Sequence, residues 1–240
     1  MRFMVMHKVT EEMESGAPPE PAVMEGVGRL MGEAMQKGIF VSGEGLQPTS
    51  KRLHVTYKKG LRTITQGPFA SLKERVAGFT LMCVRSKDEA LAWCDKFAAA
   101  VGDVELVLGA VTEPWDLGMG PKPENAPLRF LSLHMADERS EKDLPREPWH
   151  AEKLKVLLDE MTRLGVLQVS GELASTRRGA RIHFEGAAHN VIDGPFAESK
   201  ELVAGYAILD LPSKAEAVEW SVRFGDVVKV REIEVRQLVT

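Results

Sequence analysis

Cysteine is scarce: the chain has two in 240 residues, Cys83 and Cys94, with no CxxC between them. That excludes a disulfide framework and a thiolate metal cage. No apolar run reaches 18 residues, and the opening MRFMVMHK turns polar after one strand's length. Neither a membrane span nor a secretory leader is therefore expected, and the expected location is cytoplasmic. No charge of one sign dominates, since a formal net charge of −4 comes from acidic and basic residues mixed throughout. Without a basic stripe to track phosphates, neither a nucleic-acid nor a membrane partner is expected. Gly43-x-Gly45 and Gly118-x-Gly120 lack the third glycine of a dinucleotide fingerprint, GxSxG is absent, and no His or Cys cluster has ligand spacing. The reading is no metal, no cofactor and no serine nucleophile.

What is present is a repeat. Residues 67–97 and 194–224 align without a gap at an offset of 127 and agree at 15 of 31 positions. The same offset pairs Arg2 with Arg129, Phe3 with Phe130, His7 with His134, Pro21 with Pro148, Gly38 with Gly165 and Leu46 with Leu173. The chain thus reads as two copies, 1–111 and 128–240, joined by a Pro/Gly-rich linker at 112–127.

Each copy opens with a short alternating strand, Phe3 to His7 or Phe130 to His134. A proline-led helix follows and stops at Gly38 or Gly165. Next come a strand and a hairpin, then a GPF loop and the apolar runs VAGFTLMCV and VAGYAILDL. Ser86 with Glu89, and Ser213 with Glu216, form capping boxes that start a second helix bearing Trp93 or Trp220. A last strand completes β-α-β-β-β-α-β, the α+β plan of a ferredoxin-like unit with an elaborated central hairpin. Apolar residues on both parities of the VAG strands require both sheet faces to be buried, so the two sheets are expected to cover each other. The expected architecture is an intramolecular dimeric α/β-barrel, and the whole protein a monomer or homodimer.

Residues 193–224, DGPFAESKELVAGYAILDLPSKAEAVEWSVRF, resemble the signature of the YCII-related family, in particular its DGPF branch, and the first copy carries the weaker QGPFASLKE. The Ser-Gly-Glu segments before Leu46 and Leu173, and the closing IEVRQL, are also similar to family segments. The resemblance implies a dimeric α/β-barrel with a cleft between sheet and hairpin. Some relatives in the wider family are small enzymes using a His and an acidic residue, and genes of the DGPF branch often sit beside extracytoplasmic-function sigma factors.

On that resemblance His150 falls where the enzymatic relatives carry their His, and it can serve as a general base. Asp193 opens the DGPF turn. It either pins the loop by accepting backbone N–H groups or, with Lys200 and Glu201, lines a cleft that binds an anion or assists proton transfer. Lys73 and Glu74 repeat the Lys-Glu pair in the first copy, where Gln66 replaces the Asp. Glu44 and Glu172 are further acidic candidates for the cleft, a solvated turn being the alternative. His7 and His134 lie on the parity of Phe3 and Phe130 and read as core or barrel-facing histidines. The functional expectation is a small-molecule cleft, its ligand unidentified, with hydrolase- or lyase-like acid–base chemistry in the second copy. The alternative is a non-catalytic regulatory or protein-interaction module.

Overall fold

The computed structural model describes residues 1–69, 72–186 and 188–239. The first half contains β1 (Arg2–Lys8), α1 (Glu11–Ser15), α2 (Pro21–Gln36), β2 (Phe40–Gly45), β3 (Leu53–Lys58), β4 (Leu61–Gln66), β5 (Val76–Val84), α3 (Lys87–Val101) and β6 (Val104–Ala110). The second contains β7 (Leu128–Met135), α4 (Pro148–Arg163), β8 (Leu167–Leu173), β9 (Ala180–Glu185), β10 (Ala188–Asp193), β11 (Val203–Asp210), α5 (Lys214–Val228) and β12 (Glu232–Val239).

Local chemistry accounts for the helix ends. Pro21 and Pro148 occupy the first helical position, where the missing N–H costs nothing. Gly38 and Gly165 take the left-handed conformation just beyond the helix, at φ 67° and 70°. Ser86 and Ser213 accept from the backbone N–H of Glu89 and Glu216 at 3.1 and 3.2 Å. The Glu89 carboxylate, however, turns to Arg85 rather than closing the box on Ser86. The short α1 was not anticipated, although Thr10 caps it through Met13 and the left-handed Gly16 ends it.

The strands pair across the segments 1–111 and 128–240. β1 lies antiparallel between β11 and β12, whereas β7 lies between β5 and β6. The opening β-α-β of each segment, 1–111 and 128–240, therefore docks on the hairpin-β-α-β of the other. One sheet runs β2-β11-β1-β12-β9-β10 under α2 and α5, and the other runs β8-β5-β7-β6-β3-β4 under α3 and α4. The segments 1–111 and 128–240 thus differ from the spatial units, which are the central stretch 53–173 and a unit assembled from both termini. The cause is local: after β6 the chain turns back and β7 pairs beside it, Ala110 opposite Phe130, as consecutive elements tend to do.

Among the described residues two seams join strands of the two sheets, and a further backbone bridge links Glu74 to Ser199. β12 meets β8 at Leu238–Leu173, and the bridge Leu46–Val111 brings the end of β2 to the end of β6. Between them Met4, Met6, Phe79, Leu81, Leu131, Leu133, Tyr206 and Ile208 form a shared core. Outside it, α3 and α4 cover Val55, Met82, Leu106 and Phe130, while α5 covers Phe3, Val5, Ile182 and Val235 and α2 packs on α5 and β2. Side-chain alternation thus places Phe3, Val5 and His7 on the helix side of β1 and Met4 and Met6 on the inner side.

The GPF loops are held by close backbone packing. A Cβ on Gly67 or Gly194 would run into the carbonyl oxygen of Thr49 or Thr176. Those threonines are themselves bound through their hydroxyls and N–H groups by Glu14 and Glu141.

Candidate functional site

Three residues line up across β7, β5 and β8 on the helix side of the central unit: His134, Gly78 and Glu172. Gly78 has no side chain, and the imidazole of His134 lies over it. A Cβ there would come within 2.9 Å of Nε2. The ring consequently reaches the second strand away, and His134 Nε2 sits 3.3 Å from Glu172 Oε2. Arg146, in the segment before α4, donates to the other carboxylate oxygen at 2.8 Å and lies 3.5 Å from the same Nε2. Phe97 of α3 packs on the ring at 5.3 Å between centroids.

This arrangement can hold and move a proton. Nε2 either donates to Glu172 or accepts from Arg146, so both protonation states of the ring have a partner. His134 is only 7 % exposed. Burial works to raise the Glu172 pKa, but the hydrogen bond and charge of His134, followed by Arg146, outweigh it and hold the carboxyl down at about 2. Glu172 is thus a permanent carboxylate that orients the imidazole. Beside His134 a cavity of about 20 Å³ opens between sheet and helices, lined by Thr80, Ser132, Cys94, Phe97 and Met161 among others. Burial, against an opposing contact with Ser132, pushes the Cys94 thiol up to about 12, so it stays protonated.

The terminal unit has the same row without the carboxylate: His7, Gly205 and Gly45. His7 lies over Gly205 and against Phe224 at 5.4 Å, as His134 does over Gly78 and against Phe97. Pro19 occupies the position corresponding to Arg146. Burial, then the charges of Arg52 and Lys8, pushes the His7 imidazole down to about 4. That ring is neutral at physiological pH.

A one-residue shift of a short motif explains the difference. Between Gly38 and Leu46 the segment reads GIFVSGEGL, and between Gly165 and Leu173 it reads GVLQVSGEL, equal in length with Ser-Gly-Glu one place later. Counted back from the equivalent Leu46 and Leu173, Glu44 is two residues away and Glu172 one, and a one-residue slip in a strand changes the sheet face. Glu44 lies opposite Tyr206 of the inner core and pairs there with Arg129, which Glu113 also binds at 2.8 Å. The two glutamates, read from sequence as equivalent, thus occupy opposite faces.

The other anticipated residues are dispersed. His150 sits in the first turn of α4, its ring stacked on Trp149 at 3.5 Å. Asp193 is exposed and pairs with Lys214 at 2.6 Å. It is Gln66, its counterpart, that pins its loop, donating to the carbonyls of Ser50 and Arg52. Lys200, Glu201 and Lys73 are exposed. Glu74 is fully buried, accepts from the Val203 N–H at 2.7 Å and pairs by backbone with Ser199. Burial raises its pKa against the opposing influence of Lys8, Val203 and Arg52. Among the described residues no hydrogen bond or ion pair joins His150, Asp193 and Lys200 to one another.

His134 and Arg146 were not singled out as site residues. The available signal was the one-residue shift of Glu172, which places it on the face of His134. No curated protein and no solved structure matches this chain. Residues 129–233, which contain His134, Arg146 and Glu172, match the family model of the YCII-related domain.

Proposed function

We propose that the protein binds a small molecule in the central unit and transfers a proton to or from it through His134, in a hydrolase- or lyase-like reaction. The observation that carries this reading is the row His134–Gly78–Glu172 with Arg146 on its free oxygen. Glu172 orients the imidazole, Arg146 holds the carboxylate, and the helix-side packing keeps bulk water from the ring. The reading places the chemistry in the second copy's residues, but at His134 and Glu172 rather than at His150, Asp193 and Lys200. Those three, with Lys73, Glu74, Glu201 and Glu44, are supported better as loop and seam residues by their placement.

The internal repeat at an offset of 127 supports a duplicated chain of the DGPF branch, and the two seams support a closed intramolecular barrel. In this scheme one half keeps the acid–base group and its twin serves as scaffold. A native mass spectrum of gently purified protein tests the reading. Extra mass retained by the wild type and lost in His134→Ala, at unchanged melting temperature, is expected. The same extra mass retained by that variant would contradict a site at His134.

A further inference from the structure

The row next to His134–Gly78–Glu172 on the same face is Ser132–Thr80–Ser170, three hydroxyl residues side by side on β7, β5 and β8. The equivalent row of the terminal unit is Val5–Ala207–Gly43. The central unit has therefore built a hydroxyl-bearing floor where its twin is apolar or bare. Ser132 is 8 % exposed, and among the described residues its hydroxyl has only the Cys94 thiol, 3.9 Å away, as a side-chain partner. A buried hydroxyl without a strong partner costs free energy unless something else bonds to it. The cavity lies over this floor, with Thr80, Met82, Ser132 and His134 on the sheet side and Trp93, Cys94, Phe97, Leu157, Leu158 and Met161 of α3 and α4 around the rest.

We infer that this cavity is the ligand slot, and that its ligand is a neutral, mainly hydrocarbon small molecule carrying a hydroxyl or carbonyl oxygen. The inference rests on the reading of His134 as the proton-transfer group and adds the class of molecule that group acts on. Among the described residues the helix-side walls offer no counter-ion for a charged body, and Arg146 is already paired with Glu172 at 2.8 Å. The Ser132 and Thr80 hydroxyls donate to or accept from the ligand oxygen, which brings it beside His134. At about 20 Å³ the space holds one water molecule. A larger ligand therefore requires α3 and α4, which pack through Trp93, Leu157 and Met161, to part for it, its oxygen taking the place available to that water.

Cyclohexanone is a suitable probe and methylcyclohexane its oxygen-free control, with binding followed through amide and imidazole NMR signals. Cyclohexanone is expected to shift Thr80, Ser132 and His134, and to bind more tightly than the control. The double variant Thr80→Ala with Ser132→Val, which installs the side chains of Ala207 and Val5, is expected to weaken cyclohexanone binding by about tenfold. Should the pair fail to fold, Thr80→Ala alone is expected to give a smaller loss in the same direction. Equal binding of probe and control, unchanged affinity in these variants, or no binding up to the probe's solubility would overturn the inference. Binding that depends on Thr80 and Ser132 but leaves the His134 ring signals unmoved would uphold the slot and sink the proton-transfer role instead.

Discussion

His134 and His7 occupy the same place in the two halves, each laid over a strand glycine and against a helix phenylalanine, yet their chemistry differs. One has a carboxylate and a guanidinium within reach, and the other has Gly45 where the carboxylate would be. The comparison teaches that a similar scaffold can hold an imidazole in either half, while a one-residue shift of the Ser-Gly-Glu motif decides whether a partner faces it. Packing places the ring, and register supplies the acid.

The largest expected effect comes from filling the glycines. In Gly78→Ala the new Cβ meets the His134 ring and lies 2.6 Å from the Gly171 carbonyl oxygen, and in Gly205→Ala it lies 2.7 Å from that of Glu44. Urea unfolding should show each variant destabilised by about 1–3 kcal/mol, the range for overpacking. Only Gly78→Ala should also abolish His134-dependent ligand retention. Retention surviving in that variant would break the link between the glycine and the site.

Gly45→Glu tests the comparison from the other side by returning a carboxylate to the row of His7. A Cβ at Gly45 meets nothing nearer than Thr112 at 3.7 Å, so the side chain has room. The His7 pKa should climb from about 4 toward the ordinary imidazole value, as read by NMR titration. An unmoved titration would mean that register alone does not separate the halves.

A third effect separates the halves by pH. The folded His7 pKa is lowered from 6.5 to about 4, so between those values the unfolded chain binds the extra proton and stability falls with falling pH. Glu172, lowered from 4.5 to about 2, contributes stability that is lost only in that more acidic window. His7→Gln should flatten the first window alone and Glu172→Gln the second, in unfolding measured as a function of pH. Smallest of all is Glu44→Gln. It loosens a part-exposed pair with Arg129, should cost no more than about 1 kcal/mol, and should leave ligand retention at His134 intact.

Much of this fold could be read from the residues. The prolines, glycines and serines at the helix ends lie where local chemistry requires them, and the doubly apolar VAG strands announced two buried faces. The exchange of β1-α2-β2 with β7-α4-β8 could not be read. The apolar runs VAGFTLMCV and VAGYAILDL are alike, so their patterning does not say which of them receives which opening segment. The site was half legible. Glu172 carried its signal in a spacing of one residue from Leu173, but His134 was masked by its likeness to His7, which is a core histidine. Arg146 lies in an unpatterned loop, and its role appears only when folding brings it to the end of β8. Asp193 shows the converse: its motif drew notice, and the structure gives it an exposed ion pair.

The most direct test is the imidazole NMR spectrum of both histidines at neutral pH in the wild type and in Glu172→Gln. The account predicts that the substitution, which removes the carboxylate 3.3 Å from His134 Nε2, moves the His134 ring signals and leaves those of His7 unmoved. His134 ring signals that superimpose in the two proteins would contradict the claim that Glu172 makes one half a proton-transfer site.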